Sequence, residues 1–276
     1  MSDLPALQHT TVLDRDGVRI HTLTAPEAFL ANSTHIVETE HALVLVDGQF
    51  VVPYATAFRR YADSLGKPIE RLYLSHAHVD HFFGVGAAFN DVPVYAAAAT
   101  IDVLREQGEA MRAEHAAQYG PLVPDHIVVP GHAVALGIDA VDGVKYEIDV
   151  ISGAECETQL LITLPDLGVV IAQDLIYSAA HLYITADTQR WTEVLHNLLG
   201  LGSSLFLAGH GPVADKAEVQ RNIDYLAVAR KVYTSAAGPE QFKAAMLAAY
   251  PGRTGAAIFD IYLPRLYGSA AQEDDR

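Results

Sequence analysis

Cationic residues are scarce in this chain: 18 Lys and Arg stand against 34 Asp and Glu, a formal net charge of −16 over 276 residues. Phosphate grooves and anionic membrane surfaces both require clustered cations, so nucleic acid and membrane surfaces are excluded as principal partners. Cysteine is scarcer still. Cys156 stands alone, which rules out an internal disulfide and predicts a reducing, cytoplasmic setting. Long apolar runs are missing too: the candidates Leu160 to Leu164 and Val169 to Ala172 are short and split by Pro165 and Asp166. The opening Met1-Ser2-Asp3-Leu4-Pro5 has neither the basic nor the apolar region of a secretory signal. What is abundant is apolar surface. Half of the residues are hydrophobic, enough for a sizeable core and too many for disorder over most of the length.

Short apolar and β-branched runs predict strands at Val18 to Leu23, His35 to Glu38 and Ala42 to Val46, the last closed by the turn signal Asp47-Gly48. Val52 to Leu65 changes to helical spacing through Tyr54, Phe58, Tyr61 and Leu65, and Gly66-Lys67-Pro68 stops it. Strands over Arg71 to Leu74 and Val92 to Tyr95 follow, then a helix over Ala97 to Tyr119. The second half repeats the theme. Tyr146 to Ile151, Gln159 to Leu164, Val169 to Ala172 and Ser204 to Leu207 read as strands, with helices at Arg190 to Leu199, Val213 to Ala236 and Gln241 to Tyr250. No glycine-serine linker divides the halves. The expectation is one α/β domain over 1–276, two sheet-plus-helix halves packed face to face, with a core over 10–235, a helical extension over 237–269 and a frayed tail over 270–276.

The densest chemistry lies in Ser75-His76-Ala77-His78-Val79-Asp80-His81, three imidazoles and a carboxylate directly after a predicted buried strand. Imidazole nitrogen and carboxylate oxygen are the usual protein donors for zinc and its neighbours. An extended His76-Ala77-His78 points both rings to one side, where they can share an ion. Asp174 follows the strand Val169 to Ala172, and a buried carboxylate there needs a partner. His210 sits in Gly209-His210-Gly211-Pro212, where small neighbours permit close approach to a metal.

Together these segments resemble the metallo-β-lactamase superfamily: His76 to Gly84 is similar to its histidine-rich signature, Asp47-Gly48 to its strand-terminal aspartate, Asp174 to its second-strand aspartate and His210 to its last histidine. The resemblance covers roughly 10–235 and implies a four-layer αββα sandwich with two metal ions between the sheets. It also implies His76, His78, Asp80, His81, Asp174 and His210 as ligands, with Asp174 bridging both ions and Asp47 orienting a ligand from behind. One position departs from the pattern. Glu155 stands where the family usually places a third histidine, as in its alkylsulfatase members, and a harder oxygen donor there predicts a weaker Lewis acid that tolerates manganese or iron beside zinc.

A pair of zinc ions turns water into a hydroxide nucleophile near neutral pH, so the expected activity is hydrolysis of a small carbonyl substrate, lactone or ester ahead of β-lactam or thioester. Asp80 is the candidate for holding the attacking water and moving its proton. Tyr177, by likeness to lactonases of the superfamily, is the candidate donor to the developing oxyanion; His181 and Tyr183 in the same loop are candidates to line the pocket or bind a sulfate or carboxylate, and His181 joins Asp80 and Tyr177 as a catalytic candidate. The segment from Met111 to Leu136 is expected to form a lid. Cys156 has no paired base and reads as an inert small side chain. The alternatives are sulfuric-ester hydrolysis, a metal-dependent binding protein without turnover, and, ranked last, an iron-dependent oxygenase. Oligomeric state is not legible from the sequence.

Overall fold

Four consecutive branched residues, Leu43-Val44-Leu45-Val46, are buried on alternating sides: Val44 and Val46 meet strands of a second sheet, whereas Leu43 and Leu45 meet helices. A strand covered on both faces has no polar side, which is why it reads as an unbroken apolar run. In the computed structural model, which describes residues 4–273 and side-chain environments to 268, this is β4 (Leu43–Val46) of a seven-stranded sheet. Its strands lie side by side in chain order: β1 (Gln8–Arg15), β2 (Val18–Thr24), β3 (Ser33–Glu38), β4, β5 (Ile69–Tyr73), β6 (Val94–Ala96) and β7 (His132–Ala133). Pairing is antiparallel from β1 to β4 and parallel from β4 to β7. The second sheet has five strands: β8 (Gly137–Val141), β9 (Val144–Ser152), β10 (Thr158–Leu164), β11 (Val169–Tyr177) and β12 (Leu205–His210), all antiparallel except the β11–β12 pair.

Between the sheets, Val44, Val46 and Tyr73 pack against Ile148, Ile162, Val169, Ile171 and Leu207. On the outside of the first sheet, α1 (Val52–Ser64), α2 (Val79–Ala88) and α3 (Ala98–Tyr119) bring Phe58, Phe82, Phe83 and Leu104 onto Leu43, Leu45 and Leu72. Outside the second, α4 (Gln189–Gly200), α5 (Lys216–Ser235), α6 (Pro239–Ala249) and α7 (Ile258–Glu273) bring Trp191, Leu195, Leu226, Phe242 and Phe259 onto Val170, Phe206 and Ala208. The result is the αββα sandwich. No helix among the described residues is long and apolar enough to cross a membrane.

Several elements differ from the sequence reading. The polar edge strands β1, β7 and β8 were not expected, because an edge with one solvated face carries no apolar run. Helix α2 was also unanticipated: it is buried nearly all round and shows no amphipathic stripe. Strand β11 continues past Ala172 to Tyr177, and α7 carries the chain through Glu273 across residues expected to fray; 274–276 lie outside the described residues. The expected lid is packed down rather than free. Met111, Tyr119, Ile127 and Val128 join the outer cluster of the first sheet, and a Cβ built on Gly86 of α2 would lie 2.2 Å from the carbonyl oxygen of His126.

One buried charge cluster sits on the helix side of the first sheet. Glu38, 1% exposed, is met by Arg19 at 2.5 Å, Lys67 at 2.8 Å and His21 Nε2 at 2.8 Å. Burial alone would raise its carboxyl, but Lys67, His21 and Arg19 hold it down to about 2 from the usual 4.5. A depressed carboxyl contributes stability above the unfolded value and loses it as pH falls through the folded one. Glu38→Gln is therefore expected to cost about 2–3 kcal/mol at pH 7, tempered because Arg19 and Lys67 can reach water. Urea titrations of metal-free protein should show the gap closing between pH 4.5 and about 2; a gap independent of pH would remove the charge cluster as its cause.

Candidate metal centre

The site forms where both sheets present strand ends. Beyond β5 the chain stays extended through His78 (φ −82°, ψ 142°) and then enters α2, so the first turn of that helix brings Asp80 and His81 back beside His76. The His76 and His78 rings are 4.5 Å apart and those of His76 and His81 4.3 Å. Behind them stands Asp47, in the left-handed region (φ 62°) just after β4. Its buried carboxylate accepts from the Ser75 amide, the Ser75 hydroxyl and His81 Nδ1, each at 2.7 Å, and from Gln173 Nε2 of the opposite sheet.

The second sheet supplies the rest. Glu155 comes from the loop between β9 and β10 and is 1% exposed. In β11 the pairing with β12 shifts register around Gln173, whose φ is 43°; this bulge re-aims the chain so that Asp174 enters the site. His210 ends β12, its ring stacked on that of Tyr177 at 4.7 Å. The flanking glycines are obligatory for space. A Cβ on Gly209 would lie 1.9 Å from Asp174 Oδ1, and one on Gly211 (φ +84°) 1.9 Å from the Ser178 carbonyl oxygen.

Two groups of donors result among the described residues: His76, His78, Glu155 and Asp174 in one, Asp80, His81 and His210 in the other, the ligand atoms within each lying within 4.8 Å of one another. Asp174 touches both, with Oδ2 3.6 Å from His76 Nε2 and 3.3 Å from His210 Nε2, and Oδ1 3.1 Å from His81 Nε2. Asp80 Oδ2 lies 3.4 Å from His210 Nε2 and 3.6 Å from His81 Nε2. Hydrogen bonds behind the rings select their tautomers. His81 Nδ1 donates to Asp47, His210 Nδ1 donates to the Leu30 carbonyl at 2.8 Å, and His76 Nδ1 donates to Ser75 Oγ at 2.8 Å, whose own proton goes to Asp47. All three Nε2 atoms thus turn toward the centre. His76 Nε2, His81 Nε2, Glu155 Oε2 and Asp174 Oδ1 are buried without a hydrogen-bond partner, a costly arrangement that divalent cations would relieve.

The electrostatics agree. Burial, with Asp174 beside it, pushes the Glu155 carboxyl well up. Burial opposes charge on His81 and His210, yet the Asp174 carboxylate raises both, His81 far above its usual value. In metal-free protein protons answer the carboxylate charge that cations would otherwise neutralise. Burial and the nearby Glu155 push the Cys156 thiol far up, which favours its protonated form.

Of the other expected site residues, Tyr177 is present: its hydroxyl donates to Asp174 Oδ2 at 3.0 Å and reaches Glu155 Oε1 at 3.3 Å, and burial followed by Asp174 keeps the phenol neutral. Tyr183 packs on His78 with ring centres 5.6 Å apart. His181 does not join them. Its ring is buried, with Nδ1 bonded to Tyr225 Oη at 2.9 Å and its face on Phe259, on the α5–α7 side. Residues that sequence reasoning missed are Ser75 and Gln173, which tie Asp47 to both sheets, and Asn222, whose side chain holds the Tyr177 N–H at 3.0 Å and its carbonyl at 2.9 Å. The polar Ser75 at a strand end was the one visible signal.

Asp47→Asn would replace one acceptor oxygen by a donor facing other donors. It is expected to weaken metal binding about 10–100-fold with the fold retained; an unchanged dissociation constant in competition with a chelator would show that Asp47 does not set the orientation of His81.

The sequence model of the metallo-beta-lactamase superfamily matches residues 28–210. No curated protein matches. Similar solved structures include the mono-zinc form of the metallo-beta-lactamase FIM-1 from Pseudomonas aeruginosa, with a TM-score of 0.63 at 20% identity, covering 82% of this chain and 97% of that one. A metallo-beta-lactamase from Pontibacter korlensis gives 0.63 at 19%, covering 80% and 99%. One from Erythrobacter litoralis, with beta mercaptoethanol in its active site, gives 0.59 at 17%, covering 80% and 96%. At these identities the structures share the fold, and the match to the family model settles the rest: the chain belongs to the metallo-beta-lactamase superfamily.

Proposed function

We propose that this protein is a binuclear metal-dependent hydrolase of a small carbonyl substrate, a lactone or ester ahead of a β-lactam or thioester. The carrying observation is the set of buried, unpartnered donor atoms on His76, His81, Glu155 and Asp174, converging from both sheets. His76, His78, Glu155 and Asp174 would hold one cation, and Asp80, His81 and His210 the other, with Asp174 shared. Zinc fits the imidazoles, and the three carboxylates fit manganese or iron(II) as well. Such a pair, when bound, supplies a nucleophile from water at neutral pH and polarises the bond under attack.

The remaining work falls to the chain. His78, 35% exposed, and Asp80, 19% exposed, are the ligands that face solvent, so substrate and water enter past them. Asp80 is the accessible carboxylate and takes the proton of the attacking water. Tyr177 donates its one hydroxyl proton to Asp174 and lies against Glu155, a positioning role; donation to substrate would require giving up the bond to Asp174. Tyr183 beside His78 lines the entrance. The lone cysteine supports a cytoplasmic setting.

Glu155 supports a second reading, sulfuric-ester hydrolysis. Metal-reconstituted protein assayed in parallel on a lactone, an aryl ester, a chromogenic β-lactam and an alkyl sulfate separates the readings. Turnover of the lactone or ester with two ions per chain is the expected result; turnover of the sulfate alone would replace it. One ion or none, with no turnover of any, would mean a binding protein. Glu155→His is expected to raise zinc affinity, and equal affinity and stoichiometry would put Glu155 outside the ligand set.

A further inference from the structure

Away from the central site, the helix-covered face of the first sheet holds a second set of donors. Thr11 on β1 lies directly across from His21 on β2, and His9, paired with Leu23, is its diagonal neighbour on the same face. Tyr61, near the end of α1, reaches both rings. Its hydroxyl oxygen is 2.6 Å from His9 Nε2 and 3.1 Å from His21 Nδ1. The two nitrogens are 3.3 Å apart, and Thr11 Oγ1 is 3.3 Å from His21 Nδ1. On the far side of the His21 ring, Nε2 meets the Glu38 carboxylate at 2.8 Å. A carboxylate only accepts, so the ring proton sits on Nε2 and the Nδ1 lone pair is turned toward His9 and Tyr61.

We propose that His9, His21 and Tyr61 form a peripheral site for a divalent first-row cation of the zinc, nickel and copper class, which fastens β1 to β2 and α1. Two imidazole nitrogens bound about 2.05 Å from a tetrahedral ion lie about 3.3 Å apart, the separation seen here. Imidazole donors select this class of ion over calcium or magnesium. The Glu38–His21 pair is the carboxylate–histidine arrangement that orients metal-bound rings, and Arg19 and Lys67 hold Glu38 in place. His9 is exposed and His21 buried, so the ion has a route in from solvent and a fixed ligand to meet. Tyr61 closes the third side with its hydroxyl oxygen, and water completes the shell. None of these residues belongs to the central donor groups, so the site stands whatever the central reaction proves to be.

The test counts zinc on full-length protein whose central site has first been saturated. At equal free zinc, wild type is expected to hold one more ion per chain than His9→Ala, and its melting temperature should rise on zinc addition where that of His9→Ala does not. Tyr61→Phe should bind the extra ion about tenfold more weakly. In wild type the ring-nitrogen resonances of His9 and His21 should shift together as zinc is added. Equal zinc content in wild type and His9→Ala, with unmoved ring resonances, would overturn the proposal and leave a hydrogen-bonded chain from His9 to Glu38. Should His9→Ala fail to fold, the wild-type ring resonances decide alone.

Discussion

Under the proposed two-ion reading, Asp174→Asn is expected to reduce bound metal from two ions per chain to one or none and to lower hydrolysis about 10³-fold. Its two oxygens are the atoms that approach both donor groups, at 3.1–3.6 Å from His76, His81 and His210. An amide keeps the shape but removes the charge and one acceptor. The several kcal/mol of charge stabilisation that a metal pair provides would go with it, at 1.4 kcal/mol per tenfold. Metal content by elemental analysis and turnover on the best substrate are the two readouts. Two ions and undiminished rate in the variant would remove Asp174 as the shared ligand. A third readout uses metal-free protein. Asp174 raises His81 and His210 above their usual 6.5 and is itself held well below the usual 3.8 by those imidazoles, against the effect of burial. Raised histidines stabilise below 6.5 and lose that contribution as pH rises through their folded values; the depressed aspartate stabilises above 3.8. The advantage of wild type over Asp174→Asn should therefore be greatest from pH 4 to 6.5 and shrink in alkali.

The second large effect is on the scaffold. Gly84→Ala is expected to destabilise by about 3–5 kcal/mol, lowering the melting temperature by about 5–9 °C, and to loosen metal binding as well. A Cβ at Gly84 would lie 1.7 Å from the Gly48 carbonyl oxygen and 2.7 Å from that of Gln49, and both obstacles are backbone. Neither can swing away as a side chain would. The two segments are also hydrogen-bonded, Gly84 N–H to the Gln49 carbonyl at 2.9 Å and Gly48 N–H to the His81 carbonyl at 2.7 Å. Forcing them apart would move Asp47 away from His81 and misdirect a ligand. Thermal melts with and without metal check it; a variant that melts with wild type would mean that α2 shifts freely over this turn. As a control, Gly66→Ala has open space around its Cβ and should cost only the strain of a positive φ (+70°), about 1 kcal/mol.

How the sequence divides between what it declares and what it conceals follows from range. His76 to His81 are six neighbours at the end of one strand, so local geometry alone places them on one edge, and their donor chemistry names a metal. The strands β4 and β11 announced themselves because burial on both faces leaves a run without polar interruption. The edge strands β1, β7 and β8 and the all-round buried α2 gave no such pattern. The distant donors were legible only through resemblance. Nothing local in Glu155, Asp174 or His210 says that they meet His78, His76 and His81; that depends on how one sheet lies on the other and on a bulge at Gln173 that no propensity encodes. The same limit explains His181, three residues from Ser178 and in the expected loop, yet turned to Tyr225 and Phe259 by the packing of α5 and α7. Sequence alone determined the donor types and the strand that carries them, and through the family resemblance it implied the αββα class. The tertiary structure decided which atoms converge, which tautomers they hold and which side chains stay outside, because those depend on contacts between separate elements of the chain, such as Gln173 of one sheet with Asp47 of the other.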